Sequence, residues 1–470
     1  MNPASWWGQK VSDWLPKGKA AEVASSPVVV GSAARAERTP EVLDATLVRK
    51  VLKPLQAVAD STVSEVEGGR RARAFAQWYA AANASERRQA CILMSERFAP
   101  DPQRIRQARE AYEAAVGSAE EGVAEIRLRK ALYSDRTRLL QRFAVFPEGM
   151  RFLVDLRAEL LPQLKNEKRL LALDAELENL FGTWFDVAFL ELRRISWDSP
   201  ASLVEKLIQY EAVHDIKSWA DVKNRLDSDR RCYGFFHARL PDEPLIFVEV
   251  AFTREIASNI VPLLDETAEA VDLSKATTAI FYSISNTQTG LKGISFGDSL
   301  IKRVVETLKA DFPQLKTFAT LSPIPGFRAW YRKNAARLLE ELPDKHRRTL
   351  GRYIGFEPVT VEHIQTWLDQ GPHPDAKCPG ARWMLHCASR YLGHELEQGR
   401  PIDPVARFHL GNGARVEHIH WLADPSAKGM QQSWGLMVNY LYDLKKLDRH
   451  RKMLREGKIP VSGEVSDLSL

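Results

Sequence analysis

Residues 276–330 constrain the fold of this 470-residue chain more than any other stretch. Residues 277–284 are β-branched and aromatic, as a buried strand requires. Gly290, Gly293 and Gly297 punctuate the loop that follows. Leu300, Ile301, Val304, Val305 and Leu308 then recur at helical spacing, with Asp298 or Ser299 as N-cap and Phe312-Pro313 as the stop. A second strand over 317–321 runs into Ser322-Pro-Ile-Pro-Gly, whose prolines hold the backbone extended. A glycine loop feeding a helix N-terminus lets backbone N–H groups approach an anion, so phosphate binding is its natural use. The spacing fits neither the P-loop, since no Gly-Lys-Ser/Thr follows, nor the dinucleotide G-x-G-x-x-G.

The rest of the chain divides in two. A helical pattern holds from Thr39 to about His214, with runs over 104–115, 124–143, 148–164 and 170–195. After Trp219 strands are predicted over 232–238, 245–253, 277–284 and 317–321, with helices over 256–264, 299–311 and 327–342 between or after them. A helical insertion at about 357–400 follows. Strands over 408–410 and 415–421 then flank a Gly411-Asn-Gly turn, and a final helix spans 430–456. This reads as a mobile arm (1–38), an all-helical domain (39–218) and a mixed α/β domain (219–470).

Composition narrows the function. The formal net charge is only +5 and charges of both signs are interspersed, which gives a nucleic-acid role no support. No apolar run is long enough to cross a membrane. Trp6, Trp7 and Trp14 stand among small and polar residues in the arm, and neither a secretory signal nor a transit peptide is evident there. Four cysteines, none spaced C-x-x-C, suit a reducing compartment, and a cytoplasmic location is expected. His373, Cys378, His386 and Cys387 lack the paired spacing of a structural zinc site. His418 and His420 share one face of a predicted strand, but no third ligand lies at a sensible spacing.

Three residues stand out as candidates for chemistry. Ser322 ends a strand ahead of stiff backbone, so its hydroxyl is aimed, although pattern alone reads it as the start of a turn. It is no hydrolase elbow, because Gly-x-Ser-x-Gly is missing. His409, between Phe408 and Leu410 beside the glycine turn, reads by itself as a core or turn histidine. Tyr442, in Asn439-Tyr-Leu-Tyr, reads as a core aromatic on the last helix.

A resemblance changes these readings. Ser283-Ile-Ser-Asn-Thr-Gln-Thr-Gly-Leu-Lys-Gly, Leu300-Ile-Lys-Arg-Val-Val and Leu321-Ser-Pro-Ile-Pro-Gly-Phe together resemble the malonyl-CoA decarboxylase family. So do Arg230-Arg-Cys-Tyr, Pro404-Val-Ala-Arg-Phe-His-Leu-Gly-Asn-Gly, Trp421-Leu-Ala-Asp and Gly435-Leu-Met-Val-Asn-Tyr. The likeness is dense over 230–442 and looser through the helical part. It implies an α+β protein: an all-helical oligomerisation domain followed by a GNAT-like (acyl-CoA N-acyltransferase-like) mixed α/β catalytic domain. It implies a homo-oligomer, a tetramer or dimer of dimers, acting on malonyl-CoA and yielding acetyl-CoA. It assigns a proton donor to His409, a proton acceptor to Ser322 and an active-site position to Tyr442. It also assigns CoA-ester binding to Lys292, Gly293, Ile294, Ser295, Phe296, Gly297 and Asp298, together with Ser322 and His409. Some members carry glutamate where this chain has Ser295, so a glutamate-assisted relay is doubtful here. The C-terminus also lacks the Ser-Lys-Leu address of some members.

The implied reaction needs no cofactor. The departing carboxylate is β to a thioester carbonyl, so the electrons flow into an enolate without an added sink. The protein must turn the carboxylate out of plane, stabilise the oxyanion and protonate the α-carbon. Histidine suits the last step because its usual pKa lies near working pH. The competing reading is a CoA-dependent acyltransferase of the same fold class, and a third is a non-catalytic CoA-sensing scaffold. The paired Ser322 and His409 motifs favour the decarboxylase.

Overall fold

The computed structural model describes residues 45–294, 300–371 and 373–468. The expected arm and Ser295, Phe296, Gly297 and Asp298 of the expected CoA loop lie outside these residues, as does Ser299.

The described residues begin in helices: α1 (Ala45–Ala59), α2 (Glu65–Ala81), α3 (Ala84–Arg97), α4 (Pro102–Ala115), α5 (Glu121–Leu132), α6 (Asp135–Phe143), α7 (Gly149–Leu160) and α8 (Leu171–Trp184). Their starts follow capping chemistry. Asn83 and Glu86 form a reciprocal capping box on α3, and Asp101 caps α4 ahead of Pro102. Leu139, Phe143, Leu153, Leu177 and Phe181 are fully buried among them. The single helix expected over 124–143 is in fact two. Tyr133 and Ser134 are both extended, and the chain turns there to bury Leu139, Leu140 and Phe143. The helix expected over 170–195 stops at Trp184. Leu-Glu-Leu-Arg-Arg-Ile then runs extended as strand β1 (Leu190–Ile195), paired antiparallel along its length with the next strand of the sheet.

Strand β1 edges the main sheet. The others are β2 (Arg230–His237), β3 (Leu240–Thr253), β4 (Thr278–Asn286), β5 (Thr317–Thr320), β6 (Ser322–Pro323), β9 (Arg415–His420) and β10 (Met437–Leu441). The short strands β7 (Leu396–Glu397) and β8 (Arg400–Pro401) pair separately. The order is β1-β2-β3-β4-β5-β10-β6, with β9 also on β10. Strands β1 to β4 run antiparallel, whereas β4 and β5 are parallel and joined through helix α12 (Leu300–Asp311). This is the expected mixed sheet after a helical region. Helices α9 (Ala201–Tyr210) and α10 (Trp219–Arg225) cover one face, packing Val204, Leu207 and Val222 on Ile195, Cys232 and Phe247. Helix α11 (Val261–Leu264) is all that forms of the helix expected over 256–264, since Pro262 fits only its first turn.

Helices α13 (Phe327–Glu341), α14 (Asp344–Ile354), α15 (Val361–Asp369) and α16 (Pro379–His394) follow β6. Two further expectations fail. The strand expected over 408–410 lies in helix α17 (Pro404–Gly411), because Asp403-Pro404 is a cap followed by a first-turn proline. The long helix expected over 430–456 is three elements: α18 (Ala427–Ser433), β10 and α19 (Leu447–Arg455). Trp434 turns left-handed (φ 51°) and Gly435 follows at φ 76°, which ends α18. Met437-Val-Asn-Tyr-Leu then enters the middle of the sheet, and Tyr442 follows this strand rather than riding a helix. A last short helix, α20 (Gly463–Asp467), packs by β9.

Candidate active site

The parallel pairing of β4 and β5 ends at Phe281–Thr320, with the Leu321 N–H reaching the Phe281 carbonyl at 3.0 Å. Strand β4 continues to Asn286, but the other chain turns away and pairs as β6 with β10, Ser322 opposite Val438. Ser322 therefore stands where two parallel strands diverge. The prolines on either side of Ile324 keep the segment extended as it crosses to its new neighbour.

Helix α17 brings His409 to this point. The Asp403 carboxylate caps it, Oδ1 accepting the Val405 and Ala406 N–H groups at 2.9 Å each. The other oxygen, Oδ2, accepts the Tyr391 hydroxyl at 3.2 Å, and the Gly326 N–H at the start of α13 also stabilises the charge. One buried carboxylate thus ties the serine segment to the histidine helix. A side chain at Gly326 would clash with the Tyr391 hydroxyl, so glycine is required for this approach.

The predicted trio converges. His409 Nε2 lies 3.4 Å from Ser322 Oγ, and His409 Nδ1 lies 2.7 Å from the Tyr442 hydroxyl. Ser322, His409 and Tyr442 are 6%, 3% and 4% exposed, a dry setting in which hydrogen bonds and charges count for more than in water. Tyr440 stacks on the imidazole at 4.7 Å, and Phe281 meets Tyr442 edge-on at 6.3 Å. Burial pushes His409 down to about 3 and raises Tyr442 well above the usual phenol. This corrects the expectation of a histidine titrating near working pH. In the unliganded protein the imidazole is neutral at pH 7, so any proton it gives comes from a neutral ring.

Of the expected CoA-loop residues, Lys292 and Gly293 are exposed and Ile294 is buried. Gly293 has φ 85°, which suits glycine. The loop rests on the helical region. A Cβ on Gly290 would come within 1.9 Å of the Val154 carbonyl oxygen of α7. Arg157 of the same helix, 2% exposed, donates to the Gly290 and Lys292 carbonyls at 2.8 and 2.9 Å and pairs with Asp174 at 2.8 Å.

His418 and His420 each have other partners. His418 Nδ1 bonds Glu464 at 2.8 Å and His420 Nε2 bonds Asn439 Oδ1 at 2.5 Å. Among the described residues no three metal-ligating side chains are grouped. A cavity of about 1020 Å³ between α2, α6, α8 and the β2–β3 turn contains none of the predicted site residues.

Comparison with known proteins gives the family. The family model "Malonyl-CoA decarboxylase C-terminal domain" matches residues 188–469, and "Malonyl-CoA decarboxylase N-terminal domain" matches 98–185. The chain belongs to the malonyl-CoA decarboxylase family. The mitochondrial malonyl-CoA decarboxylase of Anser anser anser is 34% identical over 402 residues, 80% of this chain and 78% of that one. That of Mus musculus is 38% identical over 343 residues, 68% of each. The crystal structure of malonyl-CoA decarboxylase from Rhodopseudomonas palustris superposes with a TM-score of 0.76 at 40% identity, covering 89% of this chain and 99% of that one. The family resemblance therefore extends well into the helical part, where sequence motifs alone were looser. No described helix is long and apolar enough to cross a membrane. Sequence reasoning missed Asp403, Thr320, Asn439 and Arg157. Only Asp403 carried a readable signal, the cap-then-proline pair.

Proposed function

We propose that this chain is a carboxy-lyase that converts malonyl-CoA to acetyl-CoA and carbon dioxide, using Ser322, His409 and Tyr442. The observation that carries the reading is the buried trio at the divergence of β4 and β5, with an imidazole bonded on both nitrogens. Cleavage of the bond between the carboxylate and the α-carbon sends its electron pair into the thioester enolate as carbon dioxide departs. Ser322 Oγ accepts the Nε2–H of His409 in the resting site and so aims that proton. His409 gives its Nε2 proton to the α-carbon, and the Tyr442 hydroxyl refills Nδ1. A thioester enolate is a stronger base than a phenolate, so this transfer runs downhill even with Tyr442 raised by burial. Nδ1 later returns its proton to the phenolate as Nε2 takes one from solvent, so the site is restored and one proton is consumed per turnover.

The loop from Lys292 to Asp298 holds the CoA diphosphate on backbone amides, a role supported by its glycines and by the helix that follows. The helices that precede β1 assemble a homo-oligomer, and the enzyme works in the cytoplasm. Incubation with malonyl-CoA alone tests the main claim. Stoichiometric acetyl-CoA and carbon dioxide without an acceptor are expected. Acyl transfer to an added amine with no carbon dioxide would replace the reading by an acyltransferase.

A further inference from the structure

The direction of one hydroxyl carries an inference beyond the trio itself. Ser322 has a single hydroxyl hydrogen, and it is committed: Oγ–H donates to Thr320 Oγ1 at 2.8 Å. Thr320 is fixed from several sides and fully buried. Its Oγ1 also accepts the Tyr440 N–H at 3.1 Å, and its carbonyl accepts Asn439 Nδ2 at 2.7 Å. Asn439 is pinned in turn, donating to the Ala257 carbonyl at 3.0 Å and accepting from His420 through Oδ1. The receptor for the serine hydrogen is thus rigid.

With its hydrogen turned to Thr320, Ser322 shows only lone pairs to His409. The ring nitrogen 3.4 Å away must then bear the hydrogen, or two lone pairs would face each other. A neutral imidazole carries one hydrogen, so Nδ1 is left as the acceptor of the Tyr442 O–H at 2.7 Å. The order of donation is Tyr442 to His409, His409 to Ser322, Ser322 to Thr320. In the opposite tautomer the ring proton would sit between His409 and Tyr442, away from Ser322 and out of reach of an enolate there.

We propose that Thr320 is a positioning residue which, by taking the Ser322 hydrogen, keeps the His409 proton on Nε2. This rests on the proposed role of His409 as proton donor. Replacing Thr320 by valine keeps the shape but removes the acceptor. The Ser322 hydrogen is freed to donate to Nε2, and the ring proton moves to Nδ1. Thr320→Ser keeps a hydroxyl and restores the order.

The test is ¹⁵N NMR of the full chain with labelled histidine, the His409 signals being assigned by their loss in His409→Gln. Wild type is expected to show a protonated Nε2 and an unprotonated Nδ1. Thr320→Val should show the reverse, with kcat lower by about 10- to 100-fold and KM for malonyl-CoA within about twofold. Thr320→Ser should recover both tautomer and kcat. A wild-type ring protonated on Nδ1 overturns the inference without any variant, which covers the case that Thr320→Val does not fold. An unchanged tautomer in folded Thr320→Val overturns it too, and so does a Thr320→Ser enzyme as slow as the valine variant. Full turnover by His409→Ala would instead refute the donor role itself, so the two failures are distinguishable.

Discussion

Replacing Asp403 by asparagine separates the two tasks of that carboxylate. The amide oxygen can still accept Val405 and Ala406 N–H groups, so the cap on α17 survives. The amide nitrogen then faces the Gly326 N–H donor to donor, and the Tyr391 hydroxyl must turn to accept instead of donating to a charge. Each hydrogen bond to a charged acceptor contributes about 1.5–3 kcal/mol. Relief of the buried charge, which burial already disfavours, offsets part of the loss. We expect a net destabilisation of about 2–4 kcal/mol. The contact that loosens joins the segment bearing Ser322 to the helix bearing His409. A relative displacement of about 1 Å there should lower kcat by about 10²-fold, with KM little changed. Urea unfolding followed by circular dichroism, alongside carbon dioxide release, measures both effects. Asp403→Ala, which also removes the cap, should cost about 1 kcal/mol more. Wild-type kcat in Asp403→Asn, at any stability, would show that the clamp does not set the geometry of the pair.

Three other outcomes are expected. His409→Ala should lower kcat by about 10²–10⁴-fold, and the double variant with Ser322→Ala should lose less than the product of the single losses, as members of one unit do; multiplicative losses would mean the two act separately. Because folding depresses the His409 pKa to about 3, the unfolded chain binds the extra proton between about pH 6.5 and 3, so acid removes about 1.4 kcal/mol of stability per pH unit across that window. His409→Gln should flatten that part of the pH–stability curve, and an unchanged slope would assign it to other groups. Gly293→Val, strained at φ 85° though unobstructed, should raise KM for malonyl-CoA with kcat preserved, and unchanged affinity would place the diphosphate elsewhere.

Local signals made much of this fold legible. The β-branched run of β4, the periodic apolar face of α12 and the proline-bounded Ser322 segment each stated their structure in a few residues. The misreadings cluster where tertiary packing overrides pattern. Met437 to Leu441 contains Asn439, and nothing local reveals that its amide serves three groups across the sheet. Phe408-His-Leu looks like a strand until Asp403-Pro404 is weighed as a helix start. Ser322 and His409 were found through whole motifs, and their separation of 87 positions hid their contact from any local rule. The neutrality of His409 was illegible for a related reason, since its desolvation comes from residues far along the chain.

The rest of Gly290 on α7, and the grip of Arg157 on the loop carbonyls, join the proposed diphosphate loop to the helical region in one cooperative unit. Linkage then works in both directions. A CoA ester bound at the loop should slow amide hydrogen exchange in α7 and α8, in the helical layer beneath it. Loosening α7 should weaken the ester, because the Gly290 and Lys292 carbonyls then lose the support of Arg157. Sequence change confined to the helical layer can therefore retune substrate affinity while the chemical groups stay untouched.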